Sequence, residues 1–504
     1  MKASQIEIAI TGAVVAFILI VTFCFQGSRG LWEPDEGQCA STAAEMMDTN
    51  EWLIPQLHHR PILEKPPFMY WGMIAGMKLF GRNEWAVRAI FALCHALTAF
   101  LVGVIGCDIR GRHFGLTASL VYSTLALPAV ASNIARADAT LALATTLSLY
   151  CFWKSVSQSG HAGFWKMALC ASFGFGFMCK GPAALVLAAP MFVYLLIMGK
   201  TLQYFLARWT LPGFLLFAFL GLSWYVYMAK MIPGAAAEFW DNQAWGRLIS
   251  TKYKRNPGII GGLRVYVPAM IWGSLPWALI ALWNVILYRI RTFQALSWSA
   301  LKRRPEILLF LLWITIPLTI LFFASSKLPL YVLPLFPAIA LLITMSMELN
   351  PKSRENTGRP ALKVILISAC MGVVILSSRY ITGNLKVARN SAMLWSDAKE
   401  RIPAGCNTIV TIDEHLDGLG FYSGKRIVAV TTSAHPYPTF STPLPIDYEI
   451  ELIASTFLPC AIITNRRNYA MHIGRIKQSL SNAHLEYKEY PIPYNRTILI
   501  CNSK

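Results

Sequence analysis

The chain has 504 residues, 55% hydrophobic and only 14% charged, with a mean hydropathy of +0.47; so few charges exclude an ordinary soluble globular protein. A formal charge of +19 would suit nucleic acid. However, there is no arginine-rich arm, and Lys and Arg fall mostly in turns between apolar segments, the pattern of a multi-pass membrane protein with membrane lipids and no nucleic acid as partners.

A hydropathy window predicts about eleven spans, at 8–25, 86–106, 115–132, 138–153, 164–178, 182–198, 207–228, 265–288, 306–324, 329–347 and 361–380. Lys2 followed by apolar Ile8 to Phe25 resembles a signal peptide, but no small-residue cleavage site follows, so this segment reads as an uncleaved first span. With a cytoplasmic N-terminus, every cytoplasmic turn carries basic residues, 15 in all, from Arg110 and Arg112 to Arg359 and Lys363, with far fewer acids among them. That satisfies the positive-inside rule. The opposite, outer face then holds two long loops, 26–85 and 229–264, and three short turns.

The first long loop is too polar to span a bilayer and too rich in Trp, Pro, Met and Phe to be a solvated linker. It carries Asp35 and Glu36, then Glu64 and Lys65 ahead of Pro66 and Pro67. Such charges beside a membrane are costly unless hydrated, paired or in use. The later outer turns add Arg136 and Asp138, then Lys180, then Lys327 and Tyr331; the second long loop adds Asp241, Asn242, Arg247, Lys252, Lys254 and Arg255. Cations from several separate turns suit a phosphate-bearing ligand: Lys supplies a point charge, Arg a fork and Tyr a neutral donor. Carboxylates among them suit a divalent cation or proton transfer. The plainer readings are an interfacial Arg136–Asp138 pair, a snorkelling Lys180, His58 and His59 as surface residues, and Trp32, Trp52, Trp71 and Trp85 as interfacial aromatics.

Most of the 11 cysteines lie in or beside apolar segments and read as small packing residues. Cys406, Cys460 and Cys501 lie in the hydrophilic tail, where a disulfide is open but its pairing is not readable. From about Asn384 the composition becomes that of a small soluble domain. Apolar runs at 409–412, 427–430, 461–464 and 497–500 alternate with helix-like stretches at 387–401 and 469–481, predicting an α/β unit. The expected division is thus 1–383 as a membrane catalytic domain and 384–504 as a periplasmic α/β domain.

Several of these stretches share a pattern. Trp32-Glu33-Pro34-Asp35-Glu36, Asn50-Glu51-Trp52 with Pro55, and Glu64-Lys65-Pro66-Pro67 with Tyr70-Trp71 resemble the first outer loop of polyprenyl-phosphate-dependent GT-C glycosyltransferases, the group of lipid A aminoarabinose transferases and protein O-mannosyltransferases. The resemblance continues through Ala135-Arg136 with Asp138, Lys180-Gly181-Pro182, and the run from Ser325 to Ala338, covering roughly residues 30 to 345. It implies a GT-C fold in a bacterial inner membrane, an active site facing the periplasm, and Asp35 with Glu36 as catalytic residues. Lys65, Lys327, Tyr331 and Arg247 would bind the lipid-linked phosphate. Arg136, Asp138 and Lys180 would complete the site, and Glu64 would bind acceptor or a divalent metal ion, the one cofactor the resemblance admits. Where aminoarabinose transferases resemble N-E-H-x-x-R, this chain reads Asn242-Gln243-Ala244-Trp245-Gly246-Arg247, with Ala244 in place of the metal-binding His.

The expected activity is transfer of a sugar from polyprenyl (undecaprenyl) phosphate to lipid A or a related glycolipid, with a protein hydroxyl as the alternative acceptor. A lipid or solute transporter would place polar groups near the midplane on broken helices, often within an inverted repeat. Here the charges sit at outer span ends and no repeat is visible.

Overall fold

The computed structural model describes residues 3–157, 160–244, 255–349, 360–432, 444–445 and 459–503. Arg247, Lys252 and Lys254 of the second long loop lie outside the described residues. The chain divides into two compact units. One comprises 1–26, 64–69 and 88–379; the other comprises 27–63, 70–87 and 380–504. The expected division at 383/384 assigned the whole first loop to the membrane part. By compactness, 27–63 and 70–87 join the tail instead.

The first unit is helical. All eleven expected segments fall on helix, but among the described residues only seven stretches are long and apolar enough to cross a membrane by themselves, or eight if one bent pair counts as a span. Three of the differences have local causes. The segment expected at 115–132 is interrupted at Leu125, between the helices Arg112–Thr124 and Ala126–Ala131. The Gly258–Gly273 and Trp277–Leu287 helices meet at 85°, at a break containing Pro276, which cannot donate to the preceding turn. The stretch Ala162–Ile197 is one apolar run of 36 residues, roughly 54 Å as a straight helix, against a hydrocarbon core of about 30 Å. It breaks at Gly181, whose φ of +63° is open to glycine at little cost.

Ion pairs in this unit sort the helix ends. Arg110 pairs with Glu348 and, at 3.6 Å, with Glu306, and Arg112 pairs with Glu7. These residues come from turns and ends expected on the cytoplasmic side, so parity and packing agree on which ends lie together. Arg379, buried in the last span, donates to the carbonyls of Val21, Thr22, Cys24 and Ala129 and to Ser132 Oγ. A cation there meets the free carbonyls at two helix C-termini.

In the second unit the first loop forms the Asp35–Thr49 helix and a small hairpin of β1 (Gln56–Leu57) and β2 (Arg60–Pro61). Pro34 precedes the helix, two acids occupy its first turn, and Asn50 closes it in the left-handed conformation at φ 57°, each a favoured terminus residue. The tail forms β3 (Thr408–Ile412), β4 (Arg426–Thr431), β5 (Leu444–Pro445), β6 (Cys460–Asn465), β7 (Leu485–Ile492) and β8 (Arg496–Ser503), in the spatial order β5-β4-β3-β6-β8-β7. β3, β4, β5 and β6 run parallel, while β8 and β7 complete the sheet antiparallel. Tyr469, Ile476 and Leu480 of the Arg466–Asn482 helix pack with Val410, Ile462 and Leu499. Leu394 and Leu419, from two short helices, pack with Ile409, Ile463 and Ile498. Cover on both faces explains why the parallel strands read as continuous apolar runs.

Candidate active site

In the first unit, local helix electrostatics place two opposite charges. Asp138 opens the Asp138–Ser157 helix and Lys180 closes the Ala162–Lys180 helix, so each charge sits at the terminus that favours it. The two meet: the Lys180 ammonium donates to Asp138 Oδ1, and Arg136 Nε lies 3.7 Å from Oδ2. The Asp138 side chain is 4% exposed and that of Lys180 13%. Lys180 Nζ also stands 4.4 Å over the ring of Tyr331, a cation–π contact. Lys65 is close enough for its charge to act on Asp138. Lys65, Arg136, Asp138, Lys180 and Tyr331, from four separate connections, are therefore brought together. Three cations around a single carboxylate leave a surplus of positive charge, which suits an anionic group.

Lys327 is placed differently. It is fully buried and its ammonium donates to Ala324 O. Its backbone N–H donates to Arg255 O at 2.9 Å and its carbonyl accepts from Asn256 Nδ2 at 3.2 Å. Burial pushes its pKa below the ordinary lysine value. Glu64 and Lys65 are half-buried. Among the described residues no group of three or more His, Cys, Asp and Glu side chains is gathered closely enough to hold a metal ion.

In the second unit the adjacent acids part company. The Glu36 carboxylate is 2% exposed and accepts from Arg29 Nη1 at 2.5 Å and from the Trp32 N–H at 3.1 Å. The Arg29 guanidinium lies 4.3 Å over the Trp32 ring. Glu36 is thereby engaged in shaping the loop, while Asp35 beside it is half-exposed. The aromatics are also tied into this unit: Trp71 Nε1 donates to Trp52 O at 2.6 Å, and Lys78 stands 4.6 Å over the Trp52 ring.

Two features were missed by sequence reasoning. His58 pairs with Asp417 at 2.7 Å, and Glu33 is buried against Ser391 and Gly418. Their partners lie more than 350 positions away, and no spacing signals such a contact.

The family model for dolichyl-phosphate-mannose-protein mannosyltransferase matches residues 64–228. An undecaprenyl phosphate-alpha-4-amino-4-deoxy-L-arabinose arabinosyl transferase of Proteus mirabilis is 28% identical over 341 residues, 66% of this chain and 58% of that protein. The Pseudomonas savastanoi protein of the same description is 29% identical over 394 residues, covering 75% and 69%. The chain thus spans under three-fifths of the length of the first relatives it matches, 58% and 57%. The crystal structure of ArnT from Cupriavidus metallidurans bound to undecaprenyl phosphate superposes with a TM-score of 0.76 at 18% identity, covering 98% of both chains. The archaeal oligosaccharyltransferase AglB from Archaeoglobus fulgidus gives 0.51 at 9% identity, covering 96% and 73%. At these identities the structural likeness shows the fold, which is the GT-C fold expected from the motifs.

Proposed function

We propose that this chain, a membrane protein of the GT-C glycosyltransferase type, moves a sugar from a polyprenyl phosphate, in the first instance undecaprenyl phosphate, to lipid A or a related envelope glycolipid. Transfer would take place on the periplasmic face of the inner membrane. The observation that carries this reading is the gathering of Lys65, Arg136 and Lys180 around Asp138, with the Tyr331 ring against Lys180. The acceptor oxygen attacks the anomeric carbon, the bond from that carbon to the phosphate oxygen breaks, and negative charge grows on the leaving phosphate. Lys65 and Lys180 offer ammonium donors, Arg136 a guanidinium and Tyr331 a hydroxyl, so their interaction strengthens as the charge grows. Asp138 holds Lys180 and Arg136 in place before the donor arrives, which removes that reorganisation from the reaction. Arg247 and Lys327 are further candidates for the phosphate, and Glu64 for the acceptor or a metal ion. Asp35, half-exposed at a helix start, orients the acceptor or takes its proton.

The glycolipid acceptor is favoured by the relatives named as aminoarabinose transferases. A protein hydroxyl is the second reading, supported by the mannosyltransferase model over 64–228. Mass spectrometry of lipid A and of periplasmic proteins from cells with and without the chain separates the two. A sugar-sized mass lost from lipid A in the deletion is expected. Loss from proteins alone would transfer the acceptor to the second reading, and loss from neither would refute the proposal.

A further inference from the structure

Glu33 immediately precedes Pro34 and Asp35, yet nothing in the reaction uses it. It is 7% exposed, and its Oε1 accepts from Ser391 Oγ at 2.5 Å and from the Gly418 N–H at 2.7 Å. The backbone reinforces the contact. Glu33 N–H donates to Arg389 O at 2.8 Å, Ser391 N–H donates to Leu31 O at 3.0 Å, and Trp32 bridges Asn390 antiparallel. Leu31 N–H donates to Tyr422 Oη at 2.9 Å. Two glycines make room for the carboxyl: a Cβ on Gly37 would lie 2.2 Å from Glu33 Oε2, and one on Gly418 2.6 Å from Oε1. Oε2 is buried without a hydrogen-bond partner among the described residues. The charged groups facing this site are Asp417, itself paired with His58, and Arg496, paired with Glu414 at 2.9 Å. On its own segment stands the Arg29–Glu36 pair.

We propose that Glu33 is a positioning residue that fixes the start of the Asp35–Thr49 helix to the 389–391 and 417–418 segments, making the C-terminal α/β domain part of the apparatus that presents Asp35. Its effect on turnover rests on the functional reading above; its effect on the helix does not. Burial, with the Asp417 carboxylate nearby, holds the Glu33 carboxyl well above the usual carboxylate range. Burial thus favours its neutral form. Because its folded pKa is raised, its contribution is complete below the ordinary carboxylate value and is lost as pH rises through the raised one. A charged Glu33 would then face Asp417 in a site with little water.

The test uses the full chain in lipid nanodiscs, comparing Glu33→Gln and Glu33→Ala. Hydrogen exchange of residues 29–49 is followed against pH, and kcat and KM are measured with undecaprenyl phosphate-4-amino-4-deoxy-L-arabinose as donor probe. Glu33→Gln keeps the Oε1 acceptor and cannot ionise. Its protection and kcat should stay within about threefold of wild type at neutral pH, and its protection should persist at alkaline pH where the wild type loses it. Glu33→Ala leaves the Gly418 N–H and Ser391 hydroxyl without an acceptor; exchange in 29–49 should quicken roughly tenfold to hundredfold, with kcat falling more than KM rises. Unchanged exchange in Glu33→Ala, Glu33→Gln behaving like Glu33→Ala, or wild-type protection indifferent to rising pH would each overturn the proposal. A wild-type chain that consumes no donor while the exchange pattern holds would instead count against the functional reading and leave the anchor supported.

Discussion

Replacing Lys180 by Met and Asp138 by Asn, singly and together, tests whether the charge cluster is one coupled unit. Removing one partner of a buried pair costs about 3–5 kcal/mol, because the other charge stays buried and uncompensated. For Lys180→Met the lower end, about 3 kcal/mol, applies, since Arg136 remains 3.7 Å from Asp138 and Lys65 still acts on it. For Asp138→Asn the Lys180 ammonium keeps a helix C-terminus worth about 0.3–1 kcal/mol, and the ring of Tyr331 4.4 Å away, so about 2 kcal/mol is expected. The double variant removes both charges and should fall short of the sum by about 1.5–3 kcal/mol. Unfolding of the purified protein in mixed detergent micelles, followed by tryptophan fluorescence, measures this cycle. Single costs that add within about 0.5 kcal/mol would refute the coupling. The double variant should remain impaired by about a hundredfold in turnover, the scale of losing one charge-stabilising group, although its fold loses less than the two single losses together; full recovery of turnover would remove Lys180 from the reaction.

Lys65→Ala should cut turnover by about a hundredfold or more, with Arg at 65 rescuing only in part because its fork differs in shape from an ammonium; near-normal turnover in a purified assay rules this role out. Asp35→Asn should be severely impaired, by about a hundredfold or more if a general base is lost. A flat pH profile for that variant beside an acid-limited wild type indicates a hydroxyl acceptor, and a parallel lowered profile indicates an anionic one. Lys327→Met should raise the unfolding midpoint, since Lys327 is buried and its lowered pKa makes the wild-type fold gain stability as pH climbs toward the ordinary lysine value; the variant should lose that slope, and an unchanged midpoint and slope would show that the ammonium is hydrated. Reporter fusions should place Arg303 in the cytoplasm and the tail beyond Asn384 in the periplasm, and a tail reporter active only in the cytoplasm would reverse the topology.

The linear chain determined what depends on local composition. Apolar runs and basic turns defined the membrane helices and sorted their ends, because the cost of burying charge in hydrocarbon acts on each segment by itself. The α/β character of the tail was legible for the same reason: the runs at 409–412, 427–430, 461–464 and 497–500 fall inside β3, β4, β6 and β8. β7 was not legible, because its alternating LEYKEYPI pattern reads as polar by composition. The motif residues Lys65, Arg136, Asp138, Lys180 and Tyr331 could be named from their turns, but the meeting of the three cations at Asp138 and of Tyr331 with Lys180 could not, since it depends on how separate helices pack. Tertiary structure also decided that the first loop folds with the tail, that Glu36 is held by Arg29, and that Glu33 meets Ser391 and Gly418. It set Cys460 opposite Cys501 on adjacent antiparallel strands, a neighbourhood unreadable from spacing. Except for Arg29 and Glu36, seven positions apart, the deciding partner is distant in sequence, and a buried polar group is stable only beside the partner that satisfies it.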